Sequence, residues 1–467
     1  MLFRQLIHDD LGCASYLIGD PDAGVAAVVD PRFDIDGYLE LARYCGVRIE
    51  HVLETHTHAD HVSGHGRLAA ATGASIHVFR GAAPEYAHEP FDDGWELELG
   101  NLLVRAMHTP GHRPEHCAFA LVDRRRGEEP WALLTGDSVF VGDVARPDLA
   151  VDPEEGAREI FRSLHERLLR LPPETEVWPG HLGGSLCGGA GMDLKVSSTI
   201  GYEKRHSPLL DEADEERFVR RTTAGLGPQP PNFHRIVELN HGPLVTRGSE
   251  LMPLASRQVE AKRDQGALLI DVRTSEQFDD AHIAGAAAVS TLSAGFGTKL
   301  AWIAGPEDEL VFVGRDDADA RAAARLAMAV GLHDFGGFLV GGMTSWRAEH
   351  RPVARTERLP AERLPERLEA DPTLQVLDVR EESEWRAGHI PGSLFTPYHD
   401  LRALPDGLDP GRPVAAICAS GQRSALAASL LERLGAREVI HVVDGGVGTW
   451  ERLGRPVERT EEESGTS

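Results

Sequence analysis

Residues 55–61 read THTHADH, and they begin where the run IEHVLETH (49–56), typical of a buried β-strand, comes to its end. Imidazole and carboxylate groups are the usual protein ligands of transition metals. A single histidine is more often a packed core residue. Three histidines and an aspartate within six residues are difficult to explain by packing. The stretch therefore predicts a metal site at the end of a strand.

Three further candidate ligands lie in glycine-containing turns after other apolar runs. They are His112 in HTPGH (108–112), Asp137 in LTGDSVF (134–140) and His181 in WPGH (178–181). Strands that end in rigid turns can direct such side chains into a shared cleft. We therefore expect these residues to lie close to the first cluster.

The first 230 residues alternate short apolar strands with a few helices, which favours a layered α/β domain. One helix is predicted from about Asp60 to Gly73. Another is predicted over EIFRSLHERLLRL (159–171), where leucines recur at helical spacing before two prolines.

THTHADH, TPGH, TGD and PGH, in this order, resemble the metallo-β-lactamase superfamily, which implies an αββα sandwich. Within it, HADH together with FVGDVARPDL (140–149) and GSLCGGAGMDLKVSSTIGYEKR (184–205) is most similar to persulfide dioxygenases. That resemblance implies one Fe(II) per domain, bound at His56, His112 and Asp137. It also implies oxidation of a low-molecular-weight persulfide by O2 to sulfite. A two-histidine, one-carboxylate set suits this chemistry because it leaves open positions on iron.

All seven positions that dinuclear relatives use are present, so a two-zinc thioester hydrolase similar to glyoxalase II is the alternative. The remaining four positions would then hold a second metal, and they are His58, Asp60, His61 and His181. We favour the interpretation in which these four orient the ligands of a single iron.

Cationic side chains are candidates for binding the carboxylates of a peptide-like thiol. We single out Arg146 and the pair Lys204 and Arg205, for which solvated surface charge is the alternative. Cys187, in a glycine-rich turn after His181, is either redox-responsive or structural.

Beyond GLGPQPPNF (225–233), a composition that favours a linker, the chain repeats itself. LLIDVRTSEQFDDAHIAGA (268–286) matches QVLDVREESEWRAGHIPGS (375–393), and VGGMTSW (340–346) matches DGGVGTW (444–450). The repeat predicts two homologous α/β domains with parallel sheets. We therefore expect three domains, at 1–247, 248–357 and 358–467.

The second repeat carries a cysteine in PVAAICASGQRSA (413–425), where a buried strand meets a helix. Residues 418–423 form a C-x-x-G-x-R loop, in which backbone N–H groups and the helix dipole favour a thiolate. Arg423 adds a fixed cation, and Gly421 is a further candidate for substrate binding. The loop resembles rhodanese sulfurtransferases, which implies that Cys418 accepts sulfane sulfur as a persulfide.

The first repeat has Gly314 at the cysteine position, followed by the acidic stretch DDADA (316–320). Carboxylates would repel a thiolate or a sulfonate. This copy is therefore expected to be an inactive rhodanese-homology domain that serves as a scaffold.

The chain has 467 residues, of which 48 are Lys or Arg and 74 are Asp or Glu, so the formal charge is −26. Such a surface repels phosphate backbones and argues against nucleic-acid binding. No apolar run is long enough to cross a membrane. Five cysteines are too few for a disulfide framework, so we expect a cytoplasmic protein. The expected partners are small molecules (a thiol persulfide, O2, and sulfite or thiosulfate) and further copies of the chain.

Overall fold

A computed structural model describes residues 1–183, 185–189, 191–224 and 226–460. The chain forms two compact units. The first comprises residues 1–248 together with 328–332, and the second comprises 249–327 and the part after 332. Among the described residues, no helix is both long enough and apolar enough to span a bilayer.

Two six-stranded sheets form the centre of the first unit. The strands of the first sheet, in spatial order, are β1 (Leu2–His8), β2 (Cys13–Asp20), β3 (Val25–Val29), β4 (Arg48–Leu53), β5 (Ser75–Phe79) and β6 (Glu89–Phe91). Strands β1 to β3 run antiparallel, and β3 to β6 run parallel.

The second sheet has the spatial order β12-β11-β10-β9-β8-β7. Its strands are β7 (Glu96–Leu99), β8 (Leu102–His108), β9 (Cys117–Asp123), β10 (Ala132–Gly136), β11 (Glu176–Pro179) and β12 (Ser198–Thr199). All neighbours are antiparallel except β10 and β11, which are parallel.

Helices α1 (Asp36–Cys45) and α2 (His65–Thr72) cover the outer face of the first sheet, and α3 (Pro153–Glu166), α4 (Ile200–His206) and α5 (Glu215–Thr223) cover that of the second. The last helix of the unit is α6 (Phe233–His241). One apolar cluster lies between the sheets and includes Tyr16 and Phe119. Two others lie beneath the helices, around Tyr38 and around Ile160. The αββα sandwich is therefore confirmed, because alternate strand residues face a shared core while the others face helices.

Both helix predictions need correction at their ends. Helix α2 begins at His65 and not near Asp60, because the N–H groups just before it bond elsewhere. Val62 N donates to Ala329 O, Ser63 N to Asn240 Oδ1 and Gly64 N to Pro31 O. The THTHADH stretch (55–61) therefore lies outside the helix.

Helix α3 begins at Pro153, six residues earlier than predicted, and ends at Glu166. The Asp152 carboxylate accepts hydrogen bonds from the N–H groups of Glu154 and Glu155, and proline is favourable in the first turn. This capping signal lies outside the leucine pattern on which the prediction rested.

The second unit contains two five-stranded parallel sheets, as expected from the repeat. The first sheet, in the spatial order β13-β17-β16-β14-β15, has strands β13 (Pro253–Leu254), β14 (Leu268–Asp271), β15 (Ala287–Ala288), β16 (Leu310–Val313) and β17 (Phe335–Leu339). Its helices are α7 (Ser256–Asp264), α8 (Ser275–Asp280), α9 (Phe296–Ile303), α10 (Asp317–Ala329) and α11 (Gly342–Ala348).

The second repeat has the same arrangement, with the spatial order β18-β22-β21-β19-β20. Its strands are β18 (Glu357–Pro360), β19 (Gln375–Asp378), β20 (Leu394–Phe395), β21 (Val414–Ile417) and β22 (Val439–Val443). Its helices are α12 (Leu364–Ala370), α13 (Glu382–Ala387), α14 (Gln422–Arg433) and α15 (Val447–Arg452). Each repeat has its own apolar core, centred on Trp346 in the first and Trp450 in the second.

Candidate metal centre and cysteine loop

The THTHADH stretch (55–61) is fixed where β3 and β4 end side by side. Asp30 follows β3, and its carboxylate accepts hydrogen bonds from Thr55 N at 2.8 Å and Thr55 Oγ1 at 2.9 Å. Because the two strands are parallel, their carboxyl ends meet at one edge of the sheet. This contact sets the direction in which His56 leaves the strand.

His56, His112 and Asp137 come together as one buried cluster. One potential ligand atom from each lies within 4.8 Å of those of the other two. His112 Nε2 is 3.4 Å from Asp137 Oδ2, and neither atom has a hydrogen-bond partner. Buried polar atoms without partners are rare, so these two atoms fit the ligand positions of a bound cation.

Hydrogen bonds fix the tautomers of both histidines. Thr55 Oγ1 donates to Asp30, so it can accept the Nδ1–H of His56 at 2.9 Å. The Nδ1–H of His112 donates to the Arg146 carbonyl at 3.0 Å. Each histidine thereby keeps its Nε2 lone pair for a metal, as such outer partners do in known metal sites.

The electrostatics keep the cluster in its ligating form. Burial, and next the neighbouring His58, holds the pKa of His56 well below its ordinary value. Burial also lowers the pKa of His112. Burial opposes ionisation of Asp137, but His181 and His112 outweigh it and bring its pKa to about 2. At neutral pH the site therefore offers two neutral imidazoles and one carboxylate.

The other four predicted residues lie against carboxylates, although His61 Nε2 and both ring nitrogens of His58 form no hydrogen bond with the described residues. His181 Nδ1 lies 2.9 Å from Asp137 Oδ1, and its Nε2 lies 2.9 Å from Asp60 Oδ2. Asp60 Oδ1 lies 3.1 Å from His61 Nδ1. His58 Nε2 lies 3.2 Å from both Asp30 and Glu54. The seven residues thus form one buried network around the cluster.

Sequence reasoning missed three residues of this network. Cys13, in β2, donates its thiol to Asp60 Oδ2 at 2.9 Å. His116 Nε2 accepts the Asp137 N–H at 2.9 Å, and burial lowers the pKa of His116 to about 3. Glu54 lies between His58 and His65. Of these three residues, only His116 could have been found from the sequence, since it ends the histidine-containing run HTPGHRPEH (108–116).

Arg146 is not solvated. It is buried, and its guanidinium binds Asp148 and the carbonyl oxygens of Leu186 and Gly227. It also lines a cleft of about 370 Å³. Lys204 and Arg205, by contrast, are exposed on α4. Two residues of the motif segment 184–205, namely 184 and 190, lie outside the described residues.

Cys187 is buried beside Phe140 and belongs to a potential metal-binding group with Asp137 and His181. Burial raises the pKa of its thiol to about 12, so the cysteine is a neutral thiol at physiological pH. A redox-responsive cysteine is normally an exposed thiolate, and Cys187 therefore fits the structural role better.

The cysteine loop lies between β21 and α14, as the sequence predicts. Gly421 adopts a positive φ of 96°, and its N–H donates to Cys418 Sγ at 3.1 Å. Ser424 Oγ is 3.4 Å from the same sulfur. Burial would raise the pKa of Cys418, but hydrogen bonds from Ser424 and the loop N–H groups outweigh it and lower the pKa below its ordinary value.

Arg423 is held by Glu384 of α13, with Nη2 lying 2.8 Å from Oε1. Burial opposes the charge of Arg423, but Glu384 outweighs it and raises the pKa of the guanidinium. The predicted cation is thus present at the loop, and a carboxylate fixes its direction.

The corresponding loop of the first repeat is closed. Arg315 forms a two-pronged ion pair with Asp319. A Cβ atom at Gly314 would lie 2.7 Å from the Asp319 Cβ and 2.8 Å from the Asp316 carbonyl oxygen. The space that a cysteine would need is therefore filled.

Comparisons with known proteins assign both parts of the chain. Residues 8–181 match the metallo-beta-lactamase superfamily, and residues 255–349 and 360–453 each match the rhodanese-like domain. A metallo-beta-lactamase structure from Staphylococcus aureus is 28% identical with a TM-score of 0.66 and covers 73% of this chain and 99% of its own.

Three curated relatives resemble the first unit, and all are named as enzymes. A "probable metallo-hydrolase" of Burkholderia pseudomallei is 31% identical over an alignment of 246 positions that covers 45% of this chain and 81% of the relative. The hydroxyacylglutathione hydrolase of Methylococcus capsulatus is 37% identical over 171 residues, 36% of this chain and 60% of its own. The mitochondrial persulfide dioxygenase ETHE1 of Bos taurus is 26% identical over 222 residues, 47% of this chain and 80% of its own.

Proposed function

Because this chain belongs to the metallo-β-lactamase superfamily and continues into two rhodanese-like domains, we propose that it is a bifunctional enzyme of sulfur metabolism. The first domain (1–247) would oxidise a low-molecular-weight persulfide to sulfite in an Fe(II)-dependent reaction. The third domain (358–467) would transfer sulfane sulfur, forming or consuming thiosulfate. The second (248–357) would carry no reaction of its own.

One observation carries the proposal of a single metal. His56, His112 and Asp137 form a cluster in which outer hydrogen bonds leave the ligating atoms free. Of the second-metal candidates, His181 has both ring nitrogens against carboxylates and Asp60 has partners at both oxygens, although His61 Nε2 and the ring nitrogens of His58 are also without hydrogen-bond partners. This arrangement suits a two-histidine, one-carboxylate iron site.

Fe(II) bound at such a site supplies open positions at which O2 and a persulfide sulfur can meet. The protein residues do the remaining work. Thr55 and the Arg146 carbonyl hold the two imidazoles in the ligating tautomer. His181 and the His116 ring hold the Asp137 side chain and backbone. Burial excludes bulk water from the cluster, which protects a reactive persulfide from side reactions.

In the third domain, the Cys418 thiolate would attack the outer sulfur of thiosulfate. The new S–S bond forms as the original one breaks, and sulfite leaves with its electron pair. Cys418 then carries a persulfide, whose charge the loop N–H groups and Ser424 stabilise as they stabilise the thiolate. A thiol or sulfite acceptor removes the sulfur in the reverse manner.

The hydroxyacylglutathione hydrolase relative favours the second candidate function, a two-zinc thioester hydrolase. In that case Asp60, His61 and His181 would turn from their present partners toward a second ion. Two zinc ions per chain and hydrolysis of an acyl-thiol would then be measured.

Metal analysis of anaerobically purified protein, combined with oxygen uptake on adding glutathione persulfide, tests the proposal. We expect about one iron per chain and uptake that depends on the persulfide. Two zinc ions per chain, with thioester hydrolysis and no oxygen uptake, would show that the proposed first reaction is wrong.

Restoring a cysteine to the second domain should not create a transferase. In a Cys418→Ser background, Gly314→Cys is expected to leave thiosulfate:thiol transfer at the background rate, because Asp319 and Asp316 occupy the space and repel an anion. The matched control is Cys418→Ser alone. Transfer above that control would contradict the silent role of this domain.

A further inference from the structure

A side chain of β22 also holds the cysteine loop through a hydrogen bond. The Gly421 residue that donates its N–H to Cys418 Sγ turns its carbonyl oxygen to His441, whose Nε2 lies 2.7 Å away. His441 is fully buried. The position of the loop N–H groups around the sulfur therefore depends on this imidazole.

The other ring nitrogen of His441 is bound by the domain that has no cysteine. Its Nδ1 lies 2.8 Å from Oδ2 of Asp279, a buried residue of α8. Arg358 of β18 approaches the same carboxylate oxygen at 3.3 Å. In addition, the Asp279 carbonyl oxygen accepts the N–H of Thr356 at 3.0 Å. The imidazole of His441 therefore links a carboxylate of the second domain (248–357, the silent domain) to the cysteine loop.

Neither member of this pair is inherited from the common repeat. At the spacing of 107 that aligns 268–286 with 375–393, the counterpart of Asp279 is Arg386. At the spacing of 104 that aligns the later halves, the counterpart of His441 is Gly337. The pair is therefore a contact between two different copies and not a structural element that every copy needs.

Both hydrogen-bond partners of the His441 ring are oxygen acceptors. A carbonyl and a carboxylate oxygen only accept, so both ring nitrogens must carry protons unless Asp279 holds one of them. In either case the Nε2–H donates to the Gly421 carbonyl and holds that residue beside Cys418. The loop N–H groups that face the sulfur stabilise the thiolate, which is the nucleophile. Among the described residues, the other charged groups recorded at this contact are Asp279 itself and Arg358.

We propose that His441 is a positioning residue for Cys418 and that Asp279, supplied by the silent domain, holds it in place. The silent domain is then part of the sulfurtransferase site, although it touches no substrate. This inference rests on the proposed role of Cys418 as the sulfur acceptor. It explains why a domain without a nucleophile keeps a buried carboxylate at its boundary with the active one.

The test measures the pH at which Cys418 ionises, in the full chain. The ultraviolet thiolate absorbance of each variant is titrated, and that of the same variant carrying Cys418→Ser is subtracted. The variants are Asp279→Ala, Asp279→Asn, His441→Leu and His441→Gln. The matched control is Glu432→Gln, because Glu432 also joins the two repeats, through His282 and Thr356, without touching the loop.

We expect His441→Leu to raise the titration midpoint by about one pH unit, and Asp279→Ala and Asp279→Asn to raise it in the same direction, because the loop N–H groups that stabilise the thiolate are then held less firmly. His441→Gln should recover part of the shift, because its amide can still donate to the Gly421 carbonyl. Glu432→Gln should leave the midpoint unchanged. If an alanine variant does not fold, the asparagine and glutamine variants, which keep the shape of the site, decide the result.

An unchanged midpoint in folded Asp279→Asn and His441→Leu would overturn the inference. A shift of the same size in Glu432→Gln would also overturn it, since any loosening of the boundary would then suffice. Failure of the proposed function looks different. In that case the wild-type protein shows no sulfur transfer, whatever the thiolate titration gives.

Discussion

Asp137→Ala should lose bound iron and persulfide-dependent oxygen uptake together. Asp137 supplies the carboxylate of the proposed site, and its Oδ2 is buried without a partner 3.4 Å from His112 Nε2. Changes to outer groups of metal sites cost about 10 to 100-fold in affinity or activity, and loss of a direct ligand should cost more than about 100-fold. Metal content per chain and oxygen consumption are the two measurements.

Two further variants make this result interpretable. Asp137→Asn keeps the shape and the contact with His181 but weakens the ligand, so it should also lose iron. Asp20→Ala is the matched control, because Asp20 is a buried carboxylate bound to Asn101 and Arg125 and belongs to none of the ligand clusters among the described residues. It should retain iron. Oxygen uptake at the wild-type rate in folded Asp137→Ala would rule out the assignment.

Cys418→Ser is the second change with a large expected effect. Serine fits the loop and can accept the same N–H groups, but its hydroxyl is not ionised at neutral pH and is a poor nucleophile without a base. Thiosulfate:thiol transfer should fall by at least about 1,000-fold. Persulfide oxidation should continue, because the proposed metal ligands lie in the first unit.

Cys45→Ser is the control for this experiment, since Cys45 is the partly exposed cysteine at the end of α1. It should leave transfer unchanged. Persistent transfer in Cys418→Ser, lost only when Cys187 is also replaced, would instead assign the reaction to the first unit.

The sequence is a reliable guide to the ligand cluster because its residues lie in short motifs at strand ends. HTHADH, TPGH and TGD each place one side chain just after a strand, and parallel or neighbouring strands bring such positions to one edge. The start of α2 differs from the sequence prediction because of its tertiary contacts. Its periodicity extends back toward Asp60, but the N–H groups of Val62, Ser63 and Gly64 bond to distant parts of the chain.

The partners of those ligands could not be predicted. Cys13 meets Asp60 across 47 residues, and the carbonyl of Arg146 meets His112 across 34. Neither contact follows from a motif, because any thiol or carbonyl in the domain could have filled the place. Arg146 itself was predicted by its charge to face a substrate or solvent. In the fold, Asp148 and two carbonyl oxygens bind it.

The sequence by itself indicated a layered α/β domain, the αββα sandwich through the resemblance of its motifs, the two parallel repeats, the histidine and aspartate residues of the buried cluster and the cysteine loop, because each is recorded in contiguous residues or in a regular spacing. Tertiary structure alone decided which nitrogen of each histidine is free, how Arg423 is directed by Glu384, and that Asp279 meets His441 beside the loop. The last contact joins residues 162 positions apart. Hydrogen bonds depend on distance and direction in space, and the packing of distant elements sets both.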